Sequence, residues 1–132
     1  FLPLVALARE GTMCAMFAPF FERYSFDLIV RNSFERLRLL SELHDFRAVV
    51  AVLPIVERFD DPICQDIYTL VARTAEESGL PVIKVFDAFV GHEVTEFRKP
   101  DGRFDVAHPN TAGHALIATA TAEGVRRLQL LP

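Results

Sequence analysis

Hydrophobic positions change their spacing along this chain, and each change marks an element. Over residues 1–21, Leu4, Val5, Leu7, Ala8, Met13, Met16, Phe17, Phe20 and Phe21 recur at spacings of three and four. That predicts one or two short helices interrupted near Gly11. Between Leu28 and Leu43, Phe34, Leu37, Leu40 and Leu43 stand three apart, with Arg31, Glu35, Arg36 and Arg38 largely on other faces. A packing helix with a solvated charged side is expected there, in preference to an arginine cluster that recognises an anion.

The pattern then tightens. Ala48-Val49-Val50-Ala51-Val52-Leu53 is an unbroken apolar run closed by Pro54, which predicts a strand buried on both faces. Helical spacing returns from Asp61 to Ser78 through Ile63, Ile67, Leu70, Val71 and Ala75, with Gly79 placed to cap the helix. A second apolar run follows, Pro81 to Phe86. Strand, helix and strand on short connections make a right-handed crossover between parallel strands, so the class is α/β. Two parallel strands do not make a stable sheet by themselves. Further strands are expected from residues before Phe1 or from another chain, and a start at Phe1 rather than Met is read as a piece of something longer. Residues 1–45 form a mainly helical segment and 46–132 the C-terminal part of an α/β domain, one domain in all.

Composition narrows the partners. Of 132 residues, 51% are hydrophobic and 11% aromatic, enough for a core. The 14 basic against 18 acidic side chains leave a formal charge of −4 with no basic run, so no nucleic-acid partner is expected. Arg9 and Glu10 interrupt the apolar start, so no membrane span is expected, and a basic start with a cleavage site for a signal peptide is missing. Cys14 and Cys64 have no metal-ligand or CxxC spacing and are read as two buried thiols rather than a disulfide.

The candidate chemistry lies late in the chain. After a turn signal at Lys99-Pro100-Asp101-Gly102 the sequence runs Phe104-Asp105-Val106-Ala107-His108-Pro109-Asn110-Thr111-Ala112-Gly113-His114. Asp105 and His108 stand three apart at the entrance of a helix expected through Ala115, Leu116, Ala118 and Ala122, with Pro109 in its first turn. A carboxylate beside an imidazole fixes one ring tautomer and leaves the other nitrogen free as a general base. Asn110 and Thr111 are expected to cap or start the helix, and His114 to be packed or hydrogen-bonded. His92 and His44 are expected in loops. Zinc on Asp105, His108 and His114 is conceivable by residue type but lacks a fourth ligand at a telling spacing.

The string Asp-x-x-His-Pro-Asn-x-x-Gly-His, set after a strand-helix-strand unit, resembles the last sequence block of the SGNH (GDSL-type) hydrolases. Order and spacing are similar from about Phe46 to Gly124. The resemblance implies the last two parallel strands and flanking helices of a five-stranded flavodoxin-like sheet, with the N-terminal part of the domain apparently absent. It implies ester hydrolysis of a small-molecule substrate, with His108 as the base that activates a serine and Asp105 orienting it, and no metal or organic cofactor. The family's Gly-Asp-Ser and Gly-x-Asn-Asp motifs do not occur here. Ser25, Ser33, Ser41 and Ser78 lack the Gly-Asp prefix; Ser33, beside Asn32, comes nearest and is expected to be a helix-surface serine. The nucleophile is therefore expected outside this chain, together with association with the missing half or a second copy. The alternative is an inactive domain of the same fold that binds a ligand or partner subunit. Phe17, Phe20, Phe21 and Phe26 could line an acyl pocket, but aromatics so spaced are expected to be core.

Overall fold

The computed structural model describes residues 12–21, 26–100 and 105–131. Leu4 to Ala8, Gly11 and Ser25 lie outside them, as do Asp101 and Gly102 of the expected turn and Phe104. Helix α1 spans Met13–Phe21. Thr12 opens it, its hydroxyl accepting from the Ala15 amide at 3.3 Å, and Glu57 brings a carboxylate to the Met13 amide. A negative charge at a helix N-terminus meets the positive end of the helix dipole. A wide π turn, Asp27–Arg31, runs straight into α2, Asn32–Leu43.

Strand β1 is Val50–Val52, α3 is Pro62–Glu77 and β2 is Val82–Lys84. The strands pair in parallel, Val50 opposite Val82 and Val52 opposite Lys84, so the protein is α/β, with a small two-stranded parallel sheet among the described residues. Both strands are shorter than their apolar runs. Pro54 has no amide hydrogen to extend the ladder, and without a partner beyond Val52 the second run tightens at Val85–Phe89 into a 3₁₀ turn. A further such turn, Val94–Glu96, precedes α4, Thr111–Arg127. β1 is also not buried on both faces as expected. Val52 is buried, whereas Ala51 is exposed.

The ends of α3 follow directly from its sequence. Asp61 caps its start, accepting from the amides of Ile63 at 2.9 Å and Cys64 at 3.1 Å, and Pro62 fits a first-turn position that needs no donor. At its far end Gly79 takes φ +84°. The Gly79 amide bonds Glu76 O and the Leu80 amide bonds Ala75 O, both at 3.0 Å, the paired closure that a left-handed residue permits.

The buried face of α3 is turned by about one residue from the one its large aliphatics predict. Cys64, Tyr68, Ala72 and Ala75 are buried, and Ile63 is exposed. The cause overturns the reading of two free thiols, because Cys14 and Cys64 form a disulfide. Helix α1 packs on α3 and brings the two Cα atoms to 5.2 Å, inside the range a disulfide spans. The contact is tertiary, across 50 residues of sequence, so local cysteine spacing carried no sign of it.

One core cluster joins this staple to Val52, Tyr68, Leu80, Val82 and Phe86 between α3 and the sheet. A second places Val56, Phe59, Ile83, Val85, Phe89 and Phe97 under α4, with Phe59, Phe89 and Phe97 in mutual ring contact. Phe34 and Leu37 of α2 reach the first cluster, while Leu40 and Leu43 on the same expected face stay exposed. The aromatic expectation splits in the same way. Phe26 is core, but Phe17 and Phe20 are exposed. Among the described residues no helix is long and apolar enough to cross a membrane.

Candidate functional site

Asp105 and His108 lie in the loop that follows β2 and its two 3₁₀ turns, on the side of the sheet where both strands end. In open α/β sheets, ligands bind outside the carboxyl ends of the strands. Val106 anchors the loop from below. It is buried, and its carbonyl accepts from the Val56 amide at 2.7 Å, joining the loop to the segment after β1. Arg98 adds to this seam, its guanidinium donating to Val56 O at 3.1 Å and Glu57 O at 3.3 Å.

The Asp105 Oδ1 atom takes two bonds, from the His108 amide at 3.0 Å and from the His108 ring Nδ1 at 2.7 Å. Lys99 stands against the other oxygen, Nζ to Oδ2 3.6 Å. The Asp105 carboxyl titrates below its ordinary 3.8, chiefly because the imidazole bonds it; slight desolvation acts the other way, and the His108 amide, the His108 charge and the Lys99 cation add to the lowering. At neutral pH it is thus a carboxylate, an acceptor only, and Nδ1 must carry the hydrogen. The Nε2 lone pair is left for other work. The His108 side chain is 71% exposed and that of Asp105 35%, so the free nitrogen faces open space.

Pro109 is buried, but it precedes the helix instead of standing in its first turn. Asn110 is the cap, with its side-chain oxygen accepting from the Gly113 amide at 3.0 Å. Its Nδ2 donates to Glu96 O at 2.8 Å and Arg98 O at 3.2 Å, and its own amide to Phe97 O at 2.7 Å. One side chain therefore caps α4 and pins it to the 3₁₀ turn before the site. Gly113 lets Pro109 settle on this first turn: a Cβ there would stand 2.5 Å from Pro109 Cβ and 3.4 Å from Phe97 Cβ.

The remaining candidates lie elsewhere. His114, expected to be packed or hydrogen-bonded, is exposed on α4. His92 meets Glu96 at 3.3 Å, and His44 ends α2. Among the described residues no three His, Cys, Asp or Glu side chains gather as a metal site. The described serines each donate to a backbone carbonyl three or four residues earlier, Ser33 from an exposed position as expected. Ser33 donates to Ile29 O, Ser41 to Arg38 O and Ser78 to Thr74 O. A cavity of about 350 Å³ opens between the segment after β1 and the loop at 91–94, lined by Glu57, Arg58, Asp60, His92 and Glu93 but by neither Asp105 nor His108. Lys99 and the double role of Asn110 escaped the sequence reading. Both depend on contacts across the loop, and only the Asn before a helix leaves a local trace.

No family model matches the chain, and neither a curated protein nor a solved structure does.

Proposed function

We propose that this chain is the base-bearing half of a serine ester hydrolase of the SGNH type, with its two strands the last of a flavodoxin-like sheet. The observation that carries the reading is the 2.7 Å bond from His108 Nδ1 to Asp105, at the carboxyl ends of parallel strands, with the other ring nitrogen exposed. A serine supplied from outside the chain attacks an ester carbonyl while His108 Nε2 takes its proton. The tetrahedral intermediate collapses, His108 returns the proton to the leaving alcohol, and water releases the acyl group by the same two steps. Asp105 holds the ring and balances the imidazolium. Two features support a completing half, strands or a second copy: the exposed Ala51 on β1, and the bare apolar side chains of α2.

The test takes the intact protein with short p-nitrophenyl esters and a fluorophosphonate probe. Turnover should fall about a hundredfold or more in His108→Ala, the scale of a lost general base, and less in Asp105→Asn. The labelled serine should be none of Ser33, Ser41 or Ser78, whose hydroxyls are already engaged. That engagement also favours the second reading if neither label nor turnover is seen, namely an inactive domain that keeps the fold to bind a ligand or partner subunit.

A further inference from the structure

An orienting carboxylate works only if it is itself held. The Asp105 side chain can rotate about its last bond, and both bonds from His108 fall on a single oxygen, Oδ1. If Oδ2 were unconstrained, rotation would exchange the two oxygens and loosen the imidazole with them. The structure puts a cation where it opposes this rotation, since Lys99 Nζ lies 3.6 Å from Oδ2. That is too long for a direct hydrogen bond and close enough for a charge contact.

Lys99 is not a drifting surface side chain at its backbone. Arg98, one residue before, is fixed by its guanidinium to Val56 and Glu57 and by its carbonyl to Asn110. Pro100, one residue after, restricts the Lys99 backbone to extended conformations. The ammonium stem thus leaves from a point tied to both the segment after β1 and the cap of α4. Among the described residues, the charged neighbours in this stretch are engaged elsewhere: Arg98 on those carbonyls, Glu96 on His92 and the Glu93 amide.

We propose that Lys99 is a positioning residue, holding Oδ2 of Asp105 so that Oδ1 remains on His108. Its role in catalysis rests on the reading of His108 as a base, but the contact itself is a property of this chain and is tested directly. The carboxyl carbon of Asp105 and the ring Nδ1–H of His108 are followed by NMR against pH in the intact protein, wild-type and with Lys99→Met or Lys99→Arg. Lys99→Met should move the Asp105 midpoint to higher pH and speed exchange of the ring hydrogen, and Lys99→Arg should restore both. If Lys99→Met leaves either signal unchanged, or Lys99→Arg behaves like Lys99→Met, Lys99 does not position the pair. In the intact protein the same loss appears in kcat with KM held, and a rise in KM with kcat unchanged would overturn the role. Absence of ester turnover in the wild-type protein removes the hydrolase reading and leaves the NMR result standing, so the two failures are distinct.

Discussion

At the scale of single residues, the informative geometry is one oxygen shared by two donors. Oδ1 of Asp105 accepts both the amide and the ring of His108, which closes a tight local turn and aims the imidazole in the same act. Its pH dependence has a fixed sign. The folded carboxyl titrates below its ordinary 3.8, so its contribution is fully present above the unfolded value and is lost only as pH falls through the lowered folded one. An acid titration of the Asp105 carboxyl carbon should therefore give a midpoint below 3.8, and one at or above it would mean the bond to His108 does not persist in solution. This pair was legible in the sequence because a residue and its third neighbour meet through the backbone alone. Lys99 was not, since its approach depends on how Arg98 and Asn110 are tied to other segments.

At the scale of elements, caps were more legible than lengths. Gly79 and Asn110 each satisfy a helix end with their own backbone freedom or side chain, and such local chemistry can be read directly. Strand length depends on a partner, and the apolar runs at 48–53 and 81–86 outlast the ladder they can form. Pro109 was placed one step too far into α4 because proline and asparagine both suit a helix start, and only the Asn110 bond to Gly113 decides which is the cap. That first turn is also where the site is most exposed to substitution. Gly113→Ala would ordinarily stabilise a helix by roughly 1 kcal/mol. Here its Cβ would collide with Pro109, next to His108, so the expected result is a loss of about 1–3 kcal/mol in denaturant unfolding. The His108 ring signals should move with it, and a gain in stability would show that α4 does not start as described.

At the scale of the whole molecule, apolar surface is left over. Leu39, Leu40 and Leu43 of α2, Phe46 and Leu53 are exposed, and the sheet formed by the described residues has two strands. The disulfide was the feature the sequence did not reveal, and it closes a loop between Cys14 and Cys64 that are 50 residues apart. Restricting the unfolded chain by a loop of that size is worth about 4 kcal/mol in the chain-entropy account. Cys14→Ser with Cys64→Ser should lower unfolding stability by up to that amount, and a chain indifferent to both changes would not contain the bond. The bond also ties α1 to the segment beside the site, because Tyr68 stands between Cys14, at 4.0 Å, and the Ile55 amide, at 2.7 Å. Such bonds persist in oxidising surroundings and are kept open by glutathione in reducing ones. The chain prepared in an oxidising medium and the chain prepared in a reducing one are therefore two thermodynamic species, and the redox poise of the compartment where it folds decides which of them exists.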